Sequence, residues 1–266
     1  MLRPPTKSAS TPNVRSNPEW IAWGERDPFW AVATEPNRAK SGSSPWTPVE
    51  FYGSGESDWT DFYHHWQEYG LRLDSCLEIG CGAGRLTHAL VNTFDRVIAI
   101  DVSPGMIAKC REAINDPKME TILTSGHDLP VVSDSIGAVF STHVLQHLDS
   151  TTLILGYLKE AFRVLQPDSS MMVHLPLIVW PPGNTSILLR VAFSAFRKLS
   201  DLRAELRRRL GFSVMRMTSI SMEELYQELS RIGFVDIDFR IIATSRNRSQ
   251  HTFVLARKSL HPYRKL

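Results

Sequence analysis

The segment Leu77-Glu78-Ile79-Gly80-Cys81-Gly82-Ala83-Gly84-Arg85 places three glycines directly after a short apolar run and directly before a helical stretch. A strand that enters a glycine-rich turn and leaves as a helix opens a parallel α/β unit, and no other stretch restricts the chain as much. Gly80, Gly82 and Gly84 remove side chains where the chain turns sharply and let its amides approach a ligand. The helix N-terminus beyond them offers unpaired N–H groups. A second apolar strand, Arg96 to Ile100, then delivers Asp101. A carboxylate at the tip of the neighbouring strand can accept both hydroxyls of a ribose, so the turn and the acid together point to an adenosine-containing cofactor.

From Cys76 onward apolar runs and amphipathic stretches alternate, which predicts a doubly wound α/β sheet. Strands are expected at 76–80, 96–101, 119–124, 136–141, 170–176, 234–241 and 251–257, with helices at 85–94, 103–115, 151–165 and 221–232. Ser103 with Pro104, and Ser221 with Glu224, read as helix starts. Ahead of this unit, six of the seven tryptophans lie between Glu19 and Trp66. Trp20 to Trp23 reads as a short helix, Asp27 to Trp30 as a turn, and Thr60 to Tyr69 as a helix entering the core. Such aromatic residues either staple an N-terminal extension to the sheet or, in the case of Trp30 or Phe29, form a lid over the cofactor.

A dinucleotide fold requires G-x-G-x-x-G, but here the spacing is G-x-G-x-G and Arg85 stands where the last glycine would be. No Gly-Lys-Ser/Thr ends the turn, so a P-loop is excluded as well. Residues Leu77 to Ala113 resemble the cofactor half of class I S-adenosylmethionine-dependent methyltransferases, in particular the small-molecule group with an E-x-G-C-G-x-G-R turn and a type 11/25-like domain. The resemblance implies a Rossmann-like sheet of seven strands with an antiparallel last strand. It also implies S-adenosylmethionine as donor and S-adenosylhomocysteine as product.

Carried onto this chain, the resemblance assigns the turn residues Gly80, Cys81, Gly82, Gly84 and Arg85 to the methionine end and Glu78 to its ammonium. It assigns Asp101 to the ribose, Asp128 to the adenine amino group, and Val102, Met106 and Leu129 to the faces of the ring. The stretch Ser141-Thr142-His143-Val144-Leu145-Gln146-His147-Leu148 leaves the fourth strand and resembles the family's V-L-x-H-L. Thr142 is therefore expected beside the donor, with His147, and after it His143, as the candidate general base, because imidazole titrates near neutral pH.

The remaining features bound the acceptor. A net charge of +2 gives no global field for nucleic acid. No Asn/Asp-Pro-Pro-aromatic run or Pro-Cys pair positions a nucleobase, so nucleic acid is disfavoured. The three cysteines show no C-x-x-C, and no Asp, Glu and His run has metal spacing, so no metal is expected. Residues 178–219 form an insertion after the fifth strand, a substrate cap in which 187–210 has an apolar stripe and a basic opposite face. Its charge favours methyl transfer to the oxygen, or the nitrogen, of an anionic small-molecule or glycan acceptor; the alternatives are docking on an anionic membrane surface or RNA, or a member that binds the cofactor without turnover. Residues 1–17 read as a disordered start, 18–70 as the aromatic extension, 71–258 as the main domain and 259–266 as a tail, in a cytoplasmic protein. Nothing in the chain specifies an oligomeric state.

Overall fold

A computed structural model describes residues 14, 16–178, 217–244 and 250–259. Seven strands form one sheet in the order β3-β2-β1-β4-β5-β9-β8. They are β1 Cys76–Ile79, β2 Val97–Asp101, β3 Met119–Leu123, β4 Ile136–Ser141, β5 Leu165–His174, β8 Phe234–Ala243 and β9 Gln250–Lys258. The short pair β6 Leu177–Ile178 and β7 Ile220–Ser221 lies apart. β3, β2, β1, β4 and β5 run parallel, while β9 pairs antiparallel with both β5 and β8. The chain winds outward from β1 to β3 and restarts at β4 on the other side of β1. The crevice above the carboxyl ends of β1 and β4 is thereby the switch point where open α/β sheets take ligands.

Alternation along each strand divides the core in two. Leu77, Ile79, Ile98, Ile100 and Val139 pack against helices α6 (Thr151–Val164) and α7 (Met222–Ile232). Cys76, Val97, Ala99 and Phe140 face the opposite layer, made by α3 (Pro48–Tyr69), α4 (Thr87–Thr93) and α5 (Pro104–Ala113). Trp59, Phe62 and Trp66 of α3 lie in that layer, and the Trp66 indole donates to Ser170 Oγ at 2.9 Å. Fully burying an indole removes roughly 200 Å² from water, an upper bound of about 5 kcal/mol for Trp66. The stapling role expected of the aromatic extension thus falls to α3.

Two elements of the extension differ from expectation. α3 begins at Pro48 rather than near Thr60, because Thr47 caps the Glu50 amide and the Glu50 side chain returns the bond, with proline in the first turn. Asp27 to Trp30 is the start of a helix, not a turn: the Asp27 carboxylate caps α2 (Pro28–Val32) through the Trp30 amide. Before them, α1 (Asn17–Arg26) packs on α5. The disordered start expected through residue 17 is corrected at its end. Val14 and Ser16 are buried, Ser16 N–H donates to Asp149 Oδ2, and the Asn17 amide donates to the Ser125 carbonyl. The amphipathic helix expected over 187–210, most of the cap and the tail beyond 259 lie outside the described residues.

Candidate active site

At the switch point the chain folds back on itself without side chains. The Gly80 and Cys81 amides both reach the Ile100 carbonyl, at 2.8 and 3.0 Å, which ties the turn to β2. Gly80 has φ +75°, and a Cβ there would sit 2.2 Å from Val144 Cγ2. Gly82 has φ +53°, and its Cβ would sit 2.6 Å from Val32 Cγ2 of α2. Any side chain at either position would fill the cradle as well as strain the left-handed backbone.

Asp101 closes the other side of this cradle. Its Oδ2 accepts from the Gly82 amide and its Oδ1 from the Ser103 amide, both at 2.9 Å. Burial raises its pKa, while the Ser103, Gly82 and Val102 amides pull it back. Ser103 in turn caps α5, with Pro104 in the first turn, as the sequence predicted.

Above the cradle lies a cavity of about 770 Å³, its open mouth included. Of the residues expected on the donor, Gly80, Gly82, Asp101, Val102, Met106, Thr142, His143 and His147 line it. Thr142 Oγ1 is buried on this wall without a hydrogen-bond partner. A glycine-lined cradle, an outward-facing carboxylate and an orphaned hydroxyl together fit a nucleoside with a polar amino-acid tail.

The other expected site residues stand behind or beside this wall. Glu78 is buried under it, accepts from Thr87 Oγ1 at 2.6 Å, and is pushed by burial up to about 7. The Cys81 thiol is buried, with its pKa well above the ordinary thiol value, raised first by its contact with Cys110 and then by burial. Gly84 faces Cys110 and Ile114 of α5. Arg85 turns away from the cradle into a buried ion pair, its Nη1 2.7 Å from Asp58 Oδ2.

Leu129, expected on the ring face, is instead a fully buried core residue. Its amide is held by Glu160 and its carbonyl by Arg163, which pulls the loop down onto α6. Asp128 beside it is off the wall but within electrostatic reach of Tyr157, a wall residue, whose phenol pKa is raised mainly by burial. Trp30 is off the wall too, its indole donating to the Glu35 carbonyl and its ring 5.0 Å from Trp23. Sequence reasoning missed the residues that take its place: Ser16, Asn17, Trp20 and Val32 form the outer wall. Trp20 packs on His147 with ring centroids 4.9 Å apart. The helical spacing of Trp20 and Trp23 was the only available signal.

A second cavity of about 990 Å³, its open mouth included, lies beside the first. The two share Val32, His143 and His147, and the second adds Asp58, Arg85, Gln146, Thr244 and His251. His147 stands at the junction with its Nε2 3.0 Å from Gln146 Nε2, a contact that holds the ring in place. His143 lies at φ +58° in the exit loop of β4. Burial, and then the neighbouring His174 and His251, keep its pKa well below the ordinary imidazole value. His174 is pushed down to about 3, chiefly by burial, and His251 is lowered for the same reason. One ring nitrogen from each of His143, His174 and His251 lies within 4.8 Å of the others, a grouping that sequence spacing did not foreshadow.

Comparison with known proteins agrees with this geometry. The family model described as "Methyltransferase domain" matches residues 77–173. Among curated proteins, a malonyl-[acyl-carrier protein] O-methyltransferase of Hahella chejuensis is 35% identical over 98 residues, 36% of this chain and 34% of the relative. The match thus spans about a third of that relative's length. Among solved structures, the N-methyltransferase NodS of Bradyrhizobium japonicum, in complex with S-adenosyl-L-homocysteine, superposes with a TM-score of 0.54 at 15% identity, covering 90% of this chain and 98% of NodS. An S-adenosylmethionine-dependent methyltransferase of Methanosarcina mazei gives 0.54 at 20% identity, covering 73% of this chain and 97% of its own. These two likenesses establish the fold, and the matched segment carries the glycine cradle, Asp101 and the exit of β4. Residues 77–173 thus match a methyltransferase domain, within a chain whose fold is that of S-adenosylmethionine-dependent methyltransferases.

Proposed function

We propose that the protein moves the methyl group of S-adenosylmethionine onto an oxygen, or an amine nitrogen, of an anionic small molecule or glycan. The observation that supports this reading is the meeting of the two cavities at His143 and His147. A donor pocket that opens into a second chamber through a pair of imidazoles is the arrangement that methyl transfer requires, because the acceptor must approach the methyl in line and without water.

When bound, S-adenosylmethionine supplies an electrophilic methyl on a sulfonium. The chain's own residues do the rest. Gly80 and Gly82 leave room for the methionine end, Asp101 holds the ribose, and Val102 and Met106 flank the adenine. Thr142 Oγ1, orphaned on the wall, is placed to bond the polar tail. Trp20 and Val32 exclude water from the outer side. His147 takes the proton of an acceptor hydroxyl, and its place at the junction is what supports that role. The second chamber would hold the acceptor, with the Arg85–Asp58 pair in its wall. The Hahella relative is named an O-methyltransferase of malonyl-[acyl-carrier protein], which agrees with an oxygen acceptor. Among the described residues no helix is long and apolar enough to cross a membrane, and the three cysteines are free and buried, which supports a cytoplasmic setting.

The test is calorimetry with S-adenosylmethionine and S-adenosylhomocysteine, followed by product detection across carboxylate, phosphate, hydroxyl and amine acceptors. Binding with turnover on an anionic acceptor is expected, and it should fall sharply in His147→Ala. Donor binding without turnover on any class would overturn the enzymatic reading, and absence of donor binding would overturn the whole of it.

A further inference from the structure

We propose that His143, His174 and His251 form a three-imidazole site for a divalent transition-metal ion beside the second chamber, whose wall takes in His143 and His251. The rings come from the exit of β4, the end of β5 and the start of β9, three neighbouring strands of which β9 pairs antiparallel with β5. Their centroids stand 4.5, 4.8 and 5.3 Å apart, none of them in parallel stacking. One nitrogen from each lies within 4.8 Å of the others. Metal–nitrogen bonds of about 2.1 Å set tetrahedral ligands about 3.4 Å apart, so the widest pair must close by about 1.4 Å, a movement that side-chain rotation supplies.

A second observation sets this cluster apart from an ordinary polar core. His174 is only 7% exposed, and its Nδ1 is buried without a hydrogen-bond partner. It packs against Phe253, with no carboxylate bonded to it among the described residues. An orphaned buried imidazole nitrogen costs about 1 to 3 kcal/mol unless something else fills its lone pair. His143, meanwhile, holds its ring toward the others from a left-handed backbone, a strained placement for a residue with a side chain. Arg85, a cation in the chamber wall, is paired with Asp58.

Three histidines with the remaining positions facing a chamber match the donor set of open zinc sites, and imidazole favours zinc, iron, cobalt or nickel over magnesium. The ion's place beside the acceptor rests on the methyl-transfer reading; its binding does not.

The experiment uses the full chain, stripped with chelator and then titrated with Co(II), Zn(II) or Mg(II). Expected are one equivalent of Co(II) with the visible absorption of a low-coordinate site, displacement by Zn(II), and no uptake of Mg(II). His174→Phe and His251→Phe keep a ring in each place and should each weaken Co(II) binding at least tenfold. Binding of S-adenosylhomocysteine serves as the control for folding. If His174→Phe does not fold, the half-exposed His251→Asn carries the comparison. Failure of the wild-type chain to bind Co(II), or equal binding by the folded variants, would overturn the site. Donor binding by the stripped protein separates this outcome from failure of the methyl-transfer reading: a protein that binds donor but no Co(II) loses only the metal site, whereas one that binds Co(II) but no donor loses only the methyl transfer.

Discussion

Asp101→Asn tests the contact on which the proposed donor binding rests. A carboxylate offers about four acceptor positions. In the protein the Gly82 and Ser103 amides take one position on each oxygen, and the outward ones remain for ribose hydroxyls. Asparagine keeps the shape but turns one oxygen into a donor. One backbone amide then faces an N–H instead of an acceptor, and one hydroxyl loses a charged partner. A hydrogen bond to a charged group contributes about 1.5 to 3 kcal/mol, so the dissociation constant for S-adenosylhomocysteine should rise about tenfold to over a hundredfold. Calorimetry at fixed pH reads that change, and thermal melting checks the fold. Ser103→Ala is the companion variant: it removes the cap on the Met106 amide, should cost about 1 kcal/mol of stability, and leaves the carboxylate in place. Affinity within about threefold of wild type in a folded Asp101→Asn, under 1 kcal/mol, would refute the assignment.

Other expectations follow from the same geometry. Gly82→Ala should lower the melting temperature by the equivalent of about 1 to 2 kcal/mol and weaken donor binding, since its Cβ would press on Val32 from a left-handed backbone; wild-type affinity would contradict this. Glu78 is raised by burial from 4.5 to about 7, so its contribution is whole below pH 4.5 and is lost as pH climbs through 7. Glu78→Gln should therefore melt higher than wild type at pH 8, by up to about 3 kcal/mol, and equally at pH 4.5; a gap independent of pH would count against it. Arg85→Met alone strands the buried Asp58 and should cost about 3 to 5 kcal/mol in denaturant unfolding, while the double variant with Asp58→Leu should recover most of the loss. Trp20→Ala should weaken donor binding on the order of tenfold, and Trp30→Ala should leave it unchanged; the reverse ranking would restore Trp30 as the lid.

The glycine turn and its neighbouring acid were legible because their determinants are local. Glycine at 80 and 82 and an acid one strand away are separated by a single βα unit, and alternation in 76–79 and 97–101 shows both layers of the core. Ser103 and Ser221 marked helix starts for the same reason. The N-terminal extension was harder. Gly53 and Gly55 hid the first turns of α3 from propensity, although the Thr47–Glu50 box was there to be read. The transfer of Leu129 from the family pattern failed because Glu160 and Arg163, thirty residues on, anchor its loop. The histidine cluster was invisible because β9 must fold back beside β5 before His251 meets His174, and no spacing encodes that pairing.

That a stretch ahead of the matched unit lines one side of the first cavity has a practical corollary. Chimeras that graft residues 77–173 into another scaffold would inherit the glycine turn and Asp101 but leave that cavity open to bulk solvent, unless positions 16–32 travel with them. A fusion partner or a clip close to Ser16 should likewise dull ligand uptake while the β-sheet stays whole.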